Sequence, residues 1–279
     1  MGYAIKVKPG EKLDLSTIST RAAKSLDRDK ADARFAELAA EFGVLQEMLY
    51  ASASRGVLVI LQGVDTSGKD GTIRSVFKEV NPQGCQVAAF KVPTPLELAH
   101  DFLWRIHQQT PARGMITVFN RSHYEDVLVV RVHELAPESV WSKRYGHINA
   151  FERNLTDNGT IILKFYLHIG KDEQEQRLIE RERDVTKAWK LSAADWVERR
   201  SWDKYVAAYE AALTECSPEH APWWVIPADQ KWFRNLAIAE AVVAALKPMK
   251  SSWLKELEVR GEEELKVIRD TRAKRQTRP

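Results

Sequence analysis

The chain is poor in cysteine: Cys85 and Cys216 are the only two in 279 residues. Two isolated thiols exclude a disulfide framework and a cysteine-based zinc site, and the expected location is a reducing cytoplasm. There is no apolar run of about eighteen residues, so no membrane-spanning helix is expected and no membrane partner. The first residues, Met-Gly-Tyr-Ala-Ile-Lys-Val-Lys, lack the apolar core and the small-residue cleavage site of a signal peptide. An excess of one charge is also missing. The 42 Lys and Arg nearly balance the 39 Asp and Glu, for a net charge of +3. Overall basicity therefore gives no reason to expect a nucleic acid, and a polyanionic partner needs local clusters of charge. No internal repeat and no low-complexity linker divides the chain, and 44% hydrophobic residues suffice for one full core. A single domain over 1–279 is expected.

What is present is an alternation of strand and helix signals. An arm over 1–30 precedes an amphipathic helix over 31–54, with Phe35, Leu38, Phe42, Leu45 and Leu49 on one face. Strands are expected at 57–61, 86–92, 115–119, 160–169 and 223–227. Helices are expected around 139–157, 172–183, 192–215 and 231–247, and Thr94-Pro95-Leu96-Glu97 reads as a capping box with proline at the first helical position. Such alternation predicts an α/β fold, a mostly parallel five-stranded sheet with helices on both faces. The stretch 251–279 is charged and ends Arg272-Ala273-Lys274-Arg275-Gln276-Thr277-Arg278. It is expected to be a solvated helix running into a tail.

The most telling segment is Gly63-Val64-Asp65-Thr66-Ser67-Gly68-Lys69-Asp70-Gly71-Thr72. It lies between the apolar run Val57–Leu61 and a helical pattern with Ile73, Val76, Phe77 and Val80 on one face. Strand, glycine-rich loop, lysine and helix form an anion cradle, in which loop amides and a helix N-terminus supply positive potential. The spacing is that of a P-loop, G-x-x-x-x-G-K. Asp70, however, occupies the position where Ser or Thr ordinarily holds Mg²⁺.

A second constellation follows the third strand: Asn120-Arg121-Ser122-His123-Tyr124-Glu125-Asp126. Strand carboxyl ends carry ligands in open α/β sheets, which puts this segment beside the loop. Arg121 is expected to clamp phosphate in a bidentate way, a surface ion pair being the alternative. Ser122-x-x-Glu125 can also be a capping box, and Asp126 faces a different direction around the helix, so one of the pair is expected to cap while the other points at the site. His123 and Tyr124 are expected to pack or orient neighbours. A third group is basic: Arg177 and Arg181 share one helix face, and Lys187, Trp189 and Lys190 follow before Ser192-Ala193-Ala194-Asp195. Two basic helices joined by a short loop suggest a lid over phosphates, about 172–200, rather than a solvated basic face. Trp202, Val206, Tyr209 and Leu213 recur at helical spacing and are expected in the core.

Together these three segments, completed by Trp202-Asp203-Lys204-Tyr205, resemble the polyphosphate kinase type 2 family over roughly residues 30–250. Asp70 is a feature of that family. Asn120 and Glu125 depart from its ADP-using subgroup, which has Asp and Asn there, and look like the subgroup that phosphorylates both AMP and ADP. The resemblance implies a P-loop kinase-type three-layer α/β/α sandwich with a helical lid. It implies inorganic polyphosphate as donor, AMP and ADP as acceptors, ATP among the products and reversible transfer. Guanine nucleotides are further candidate acceptors. It also implies Mg²⁺, with Mn²⁺ as a substitute, and a homo-oligomer, dimer or tetramer.

On this reading Asp65, Lys69, Arg121, Arg177 and Arg181 are the catalytic candidates. Gly63, Thr66, Ser67, Gly68, Asp70, Gly71, Thr72, Asn120, Glu125, Arg131, Lys187 and Lys190 are the nucleotide- and phosphate-binding candidates. Lys69, Arg74, Lys78, Lys91 and Arg113 are candidates for the polymer. Asp65 is the first choice of metal ligand, followed by Asp126 or Glu125. An ATP-dependent nucleoside monophosphate kinase of the thymidylate or adenylate type is the alternative, but it would keep Ser or Thr at position 70. A GTPase-like switch is disfavoured because no Asn-Lys-x-Asp sequence is present.

Overall fold

The computed structural model describes residues 2–276, with the side chains of 274–276 excepted. In chain order the elements are β1 (Ile5–Lys6), α1 (Arg28–Ser52), β2 (Gly56–Gln62), α2 (Lys69–Val76), β3 (Cys85–Ala89), α3 (Pro95–Leu98), α4 (Trp104–His107), β4 (Ile116–Asn120), α5 (Val129–Val132) and α6 (Glu138–Asp157). They continue with β5 (Thr160–His168), α7 (Lys171–Arg183), α8 (Ala193–Glu198), α9 (Trp202–Glu215), β6 (Trp223–Pro227), α10 (Lys231–Leu246) and α11 (Lys250–Gln276).

Among the described residues the sheet has six strands, ordered β1-β6-β5-β2-β4-β3, rather than the five expected. The addition is β1, a two-residue piece of the arm running antiparallel to β6, with Ile5 opposite Val225. Two residues carry no readable period, which is why the sequence did not announce it. The other pairings are parallel.

β2 is buried along its whole length, and its side chains alternate between two cores. Leu58 and Ile60 join Tyr124, Ile148, Tyr209 and Leu213 on the α6 and α9 side. Val57, Val59 and Leu61 join Phe42, Leu45, Leu236 and Val242 under α1 and α10. This is the three-layer α/β/α arrangement of P-loop kinases. The chain leaves β2 toward β4 and β3 on one side and returns to β5 and β6 on the other. Strand order therefore reverses at β2, and the crevice for a ligand opens at its carboxyl end.

Local signals held well at some ends. Asp27 caps α1 through Lys30 N at 3.0 Å, and Thr94 and Glu97 form the reciprocal capping box with Pro95 inside it. The helix expected over 192–215 is instead two, α8 and α9, separated by a 3-10 turn at Arg199–Ser201. At this turn Arg199 Nη1 donates to the Lys171 carbonyl at 2.7 Å and to Gln174 Oε1 at 2.9 Å, which ties the break to α7. α11 is one continuous helix, and from Glu258 to Ala273 every residue is exposed. The tail residues Thr277 and Arg278 lie outside the described residues. No helix among the described residues is long and apolar enough to cross a membrane.

Candidate active site

β2 delivers the chain into the glycine-rich loop, and α2 begins at Lys69 with Gly68 preceding it in the left-handed region at φ 104°. Thr66, with φ 62°, is a non-glycine residue in the same region. The Lys69 ammonium folds back over the loop and donates to the carbonyls of Gly63 at 2.7 Å and Val64 at 3.2 Å. Burial, with the Arg121 charge nearby, pushes its pKa down to about 8. A cation held in this state gains from a phosphate that restores its counter-charge. The hydroxyls of Ser67 and Thr72 are buried without a hydrogen-bond partner.

β4 places the second constellation. Asn120 lies opposite Leu61 in the parallel ladder, and Arg121 N donates to the Leu61 carbonyl at 3.1 Å. Arg121 adopts φ 63°, a strained conformation for a side chain of this size. It turns the guanidinium between two acids: Nη2 reaches Asp65 at 2.6 Å and Nη1 reaches Glu125 at 3.1 Å. Against burial, Glu125 and Asp65 hold Arg121 protonated well above its ordinary range. The Ser122 hydroxyl accepts from Tyr124 N at 3.2 Å, so the Ser122–Glu125 capping box is not made. The Glu125 carboxylate faces Arg121 instead, and its Oε1 is buried without a partner.

Asp126 differs from expectation. It pairs with Arg144 at 2.9 Å and lies away from the loop, where burial raises its pKa to about 6 against the pull of Arg144 and Arg105. His123 and Tyr124 point the other way, into a dry cluster. Lys164 donates to Glu152 at 2.5 Å, to the Tyr124 hydroxyl at 2.8 Å and to the Cys216 carbonyl at 2.7 Å. Tyr124 donates to Glu152 at 2.8 Å, and His123 Nε2 lies 3.2 Å from the same carboxylate.

The segment expected to be the lid, from α7 to α8, lies over the loop. Asp70 holds the Lys190 ammonium and accepts from Asn120 Nδ2 at 2.7 Å. Arg181 reaches the Lys190 carbonyl at 3.1 Å and Asp195 at 2.7 Å. Beneath lies a cavity of about 680 Å³ bounded by Asp65, Thr66, Gly68, Lys69, Asp70, Phe90, Lys91, Asn120, Arg121, Arg181, Trp189 and Lys190. A narrower recess of about 30 Å³ continues behind Asp65, lined by Glu125, Gln174, Glu198, Arg199, Trp202, Tyr205 and Tyr209. Trp202 therefore lines this recess rather than the core, and Tyr209 serves both.

Other candidates fall elsewhere. Arg177 faces inward: it donates to the carbonyls of Thr66, Ser67, Ala228 and Asp229 at 2.7 to 3.2 Å and pairs with Glu173 at 2.9 Å. It braces the loop from behind. Arg131 lies over the Trp141 ring, with its guanidinium 4.8 Å from the ring centre, and donates to the Tyr145 hydroxyl at 3.3 Å. Lys187 pairs with Asp184 at 2.5 Å. Arg113 precedes β4, at the amino end of the strands and so at the edge opposite the loop. Arg74 is exposed on α2. Lys78, past the end of α2, is paired with Glu79 at 3.5 Å. Of the polymer candidates, Lys69 and Lys91 border the cavity.

The family model for Polyphosphate kinase 2 (PPK2) matches residues 25–253. The chain belongs to the polyphosphate kinase 2 family. It is 58% identical to the AMP/ADP-polyphosphate phosphotransferase of Meiothermus ruber over 202 residues, 72% of this chain and 76% of that one. It is 42% identical to the ADP-polyphosphate phosphotransferase of Rhodopseudomonas palustris, over 94% of this chain and 95% of that one. The crystal structure of Polyphosphate Kinase 2 from Arthrobacter aurescens TC1 superposes with a TM-score of 0.83 at 40% identity, covering 89% of this chain and 93% of that one.

The polyphosphate kinase 2 match takes in every residue bordering the cavity and leaves β1 and nearly all of α11 outside it. Among the described residues no group of three or more metal-ligating side chains gathers, so a divalent cation fits the two carboxylates here only with phosphate oxygens completing its shell. Asp65 and Glu125 converge on Arg121, and the unpartnered Glu125 Oε1 is a buried acceptor beside them. One or two carboxylates with phosphate oxygens are what Mg²⁺ takes. Asp126, held by Arg144, does not fit this role. Trp189 and Asp195 entered the sequence reading only as parts of the expected lid, and Phe90 and Arg234 were not singled out as site residues. Arg234 had a readable signal, a charge inside the apolar run Trp232-Phe233-Arg234-Asn235-Leu236. Phe90, at the end of an expected strand, had none.

Proposed function

We propose that the chain transfers the terminal phosphate of inorganic polyphosphate to AMP and ADP, giving ADP and ATP. The observation that carries this reading is the cavity itself. Lys69, Lys91, Arg121, Arg181 and Lys190 surround it, and Asp70 stands where an ATP-using P-loop keeps a hydroxyl. Names carried by relatives with high coverage support the same donor and acceptors.

Phosphoryl transfer needs in-line positioning and neutralised charge more than a covalent intermediate. The attacking oxygen belongs to a nucleotide phosphate, ionised at neutral pH, so no strong general base is needed. His123 is unsuited to that task, being enclosed beside Glu152. Lys69 and the loop amides of 66–70 grip the phosphates at the reacting centre. Arg121 and Arg181 reach the same space and steady the charge that develops in transfer. Asp65, with Glu125, would hold Mg²⁺, which when bound neutralises phosphate charge; Mn²⁺ is the substitute. Glu125 sets acceptor choice, since its side chain lines the recess behind Asp65. Lys190 and Lys91 extend the positive lining toward the polymer.

The test is a donor-by-acceptor matrix of polyphosphate and ATP against AMP, ADP, GMP and GDP, with Mg²⁺ or Mn²⁺. Transfer from polyphosphate to AMP and to ADP is expected. Transfer to AMP from ATP alone would overturn the reading in favour of an ATP-dependent monophosphate kinase. The guanine arms establish base range. A homo-oligomer, dimer or tetramer, is part of this proposal, and sedimentation measures it.

A further inference from the structure

Arg234 is a buried cation with no buried anion to match it. It stands in the first turn of α10 and is 2% exposed. Nε and Nη2 reach only the neutral Asn235 Oδ1, at 3.2 and 2.9 Å, and Nη1 approaches the Ser67 carbonyl at 3.4 Å. Among the described residues it forms no ion pair. Its charged neighbour is another cation, Arg177, and this proximity together with burial pushes the Arg234 pKa down to about 10. Arg177 is balanced by Glu173 and by four backbone carbonyls; Arg234 is not.

An uncompensated guanidinium in the interior is costly, so its location matters. It lies directly behind the phosphate loop. A Cβ on Gly68 would come within 1.9 Å of Arg234 Nη1, and one on Gly71 within 3.4 Å of Nη2. The loop residue before Lys69 takes glycine for its conformation, at φ 104°, and a side chain there would displace the Arg234 guanidinium. The cavity lies on the opposite side of that thin loop, where Gly68, Lys69 and Thr66 border it. A charge this deeply buried, on one side of a single layer of backbone, acts on the other side with less screening than a surface charge would.

We propose that Arg234 is a positioning residue of the phosphate loop, bracing Ser67–Gly68 from behind and lending the loop a positive charge that bound polyphosphate neutralises. This rests on the reading of the cavity as a polyphosphate site. The folded protein without ligand then carries an electrostatic penalty that the donor relieves.

The experiment compares the full-length protein with Arg234→Met and Arg234→Lys, in thermal melts with and without polyphosphate and in steady-state kinetics. Arg234→Met should melt at or above the wild-type temperature without ligand, since a methionine fills the space without a charge. Its polyphosphate-induced rise in Tm should shrink, and KM for polyphosphate should rise about tenfold, the effect of ~1.4 kcal/mol. KM for the nucleotide should change less than kcat. Arg234→Lys should recover much of the Tm response. A lowered ligand-free Tm for Arg234→Met with an unchanged KM and Tm response would overturn the proposal and leave Arg234 a packing residue. If the wild-type melt does not respond to polyphosphate, it is the functional reading that fails.

Discussion

The segment 120–126 has two sides that obey opposite rules. On one side His123 and Tyr124 enter a cluster with Glu152 and Lys164, in which neither partner of the ion pair has any exposed surface. Burial works against the Glu152 carboxylate, yet Lys164 and His123 hold it below the ordinary carboxylate range. On the other side Arg121, about one-third exposed, and Glu125, mostly buried, face the site, with Glu125 Oε1 unpartnered and Lys69 short of counter-charge. The dry side satisfies its charges internally and fixes the backbone. The open side leaves charges for a substrate to satisfy. A rigid polar cluster can thus hold in place a reactive one that is deliberately incomplete.

The largest break in this contrast is expected on the open side. Lys69→Ala should reduce transfer by about a thousandfold or more, as loss of a phosphate-clamping cation does, while circular dichroism stays native. On the dry side Lys164→Met should lower stability by about 3 to 5 kcal/mol in urea unfolding, because Glu152 is left buried and alone. Adding Glu152→Gln should recover part of that loss; no recovery would mean that the pair is not the unit of stability.

The third prediction follows from Lys69 itself. With a pKa near 8 instead of 10.5, its charge is lost above that pH. In the free enzyme, kcat/KM for polyphosphate should then fall about tenfold per unit at higher pH. The sign for stability is opposite. Between about 8 and 10.5 the unfolded chain binds more protons than the folded one, so this group makes stability rise with pH. Melts of wild type against Lys69→Met across that range isolate the contribution.

Smaller effects sharpen the boundary. Glu125→Asn should reduce AMP phosphorylation about fivefold more than ADP phosphorylation, roughly 1 kcal/mol of discrimination. Equal loss on both would leave Glu125 a partner of Arg121 without a role in acceptor choice. Arg113→Ala, at the far edge of the sheet, should change kcat/KM for polyphosphate less than about twofold, as distant surface charges are screened.

The open side was the legible one. The loop, Lys69, Arg121 and the basic lid announce themselves because phosphate chemistry demands glycine and cations at fixed spacing along one stretch of chain. The dry side is assembled from separate stretches; His123 and Tyr124 were expected to pack, and Lys164 left a trace as a lysine inside Ile161-Ile162-Leu163-Lys164-Phe165-Tyr166-Leu167. A charge in a strand buried on both faces must find a partner, but sequence does not say which. The inward turn of Arg177 was hidden for the same reason. Its partners are backbone carbonyls at 66, 67, 228 and 229, and a carbonyl has no sequence signature.

Asp70 and Lys190 join the loop to the lid across a gap of 120 positions in the chain. Their contact is made at the mouth of the cavity, with the Asp70 side chain 54% exposed, so dissolved ions reach it. A long polyanion entering the cavity competes with Asp70 for the same ammonium. On the proposed reading of the cavity, an arriving polyphosphate chain would weaken this link between loop and lid, and rising ionic strength would weaken it without supplying a phosphate.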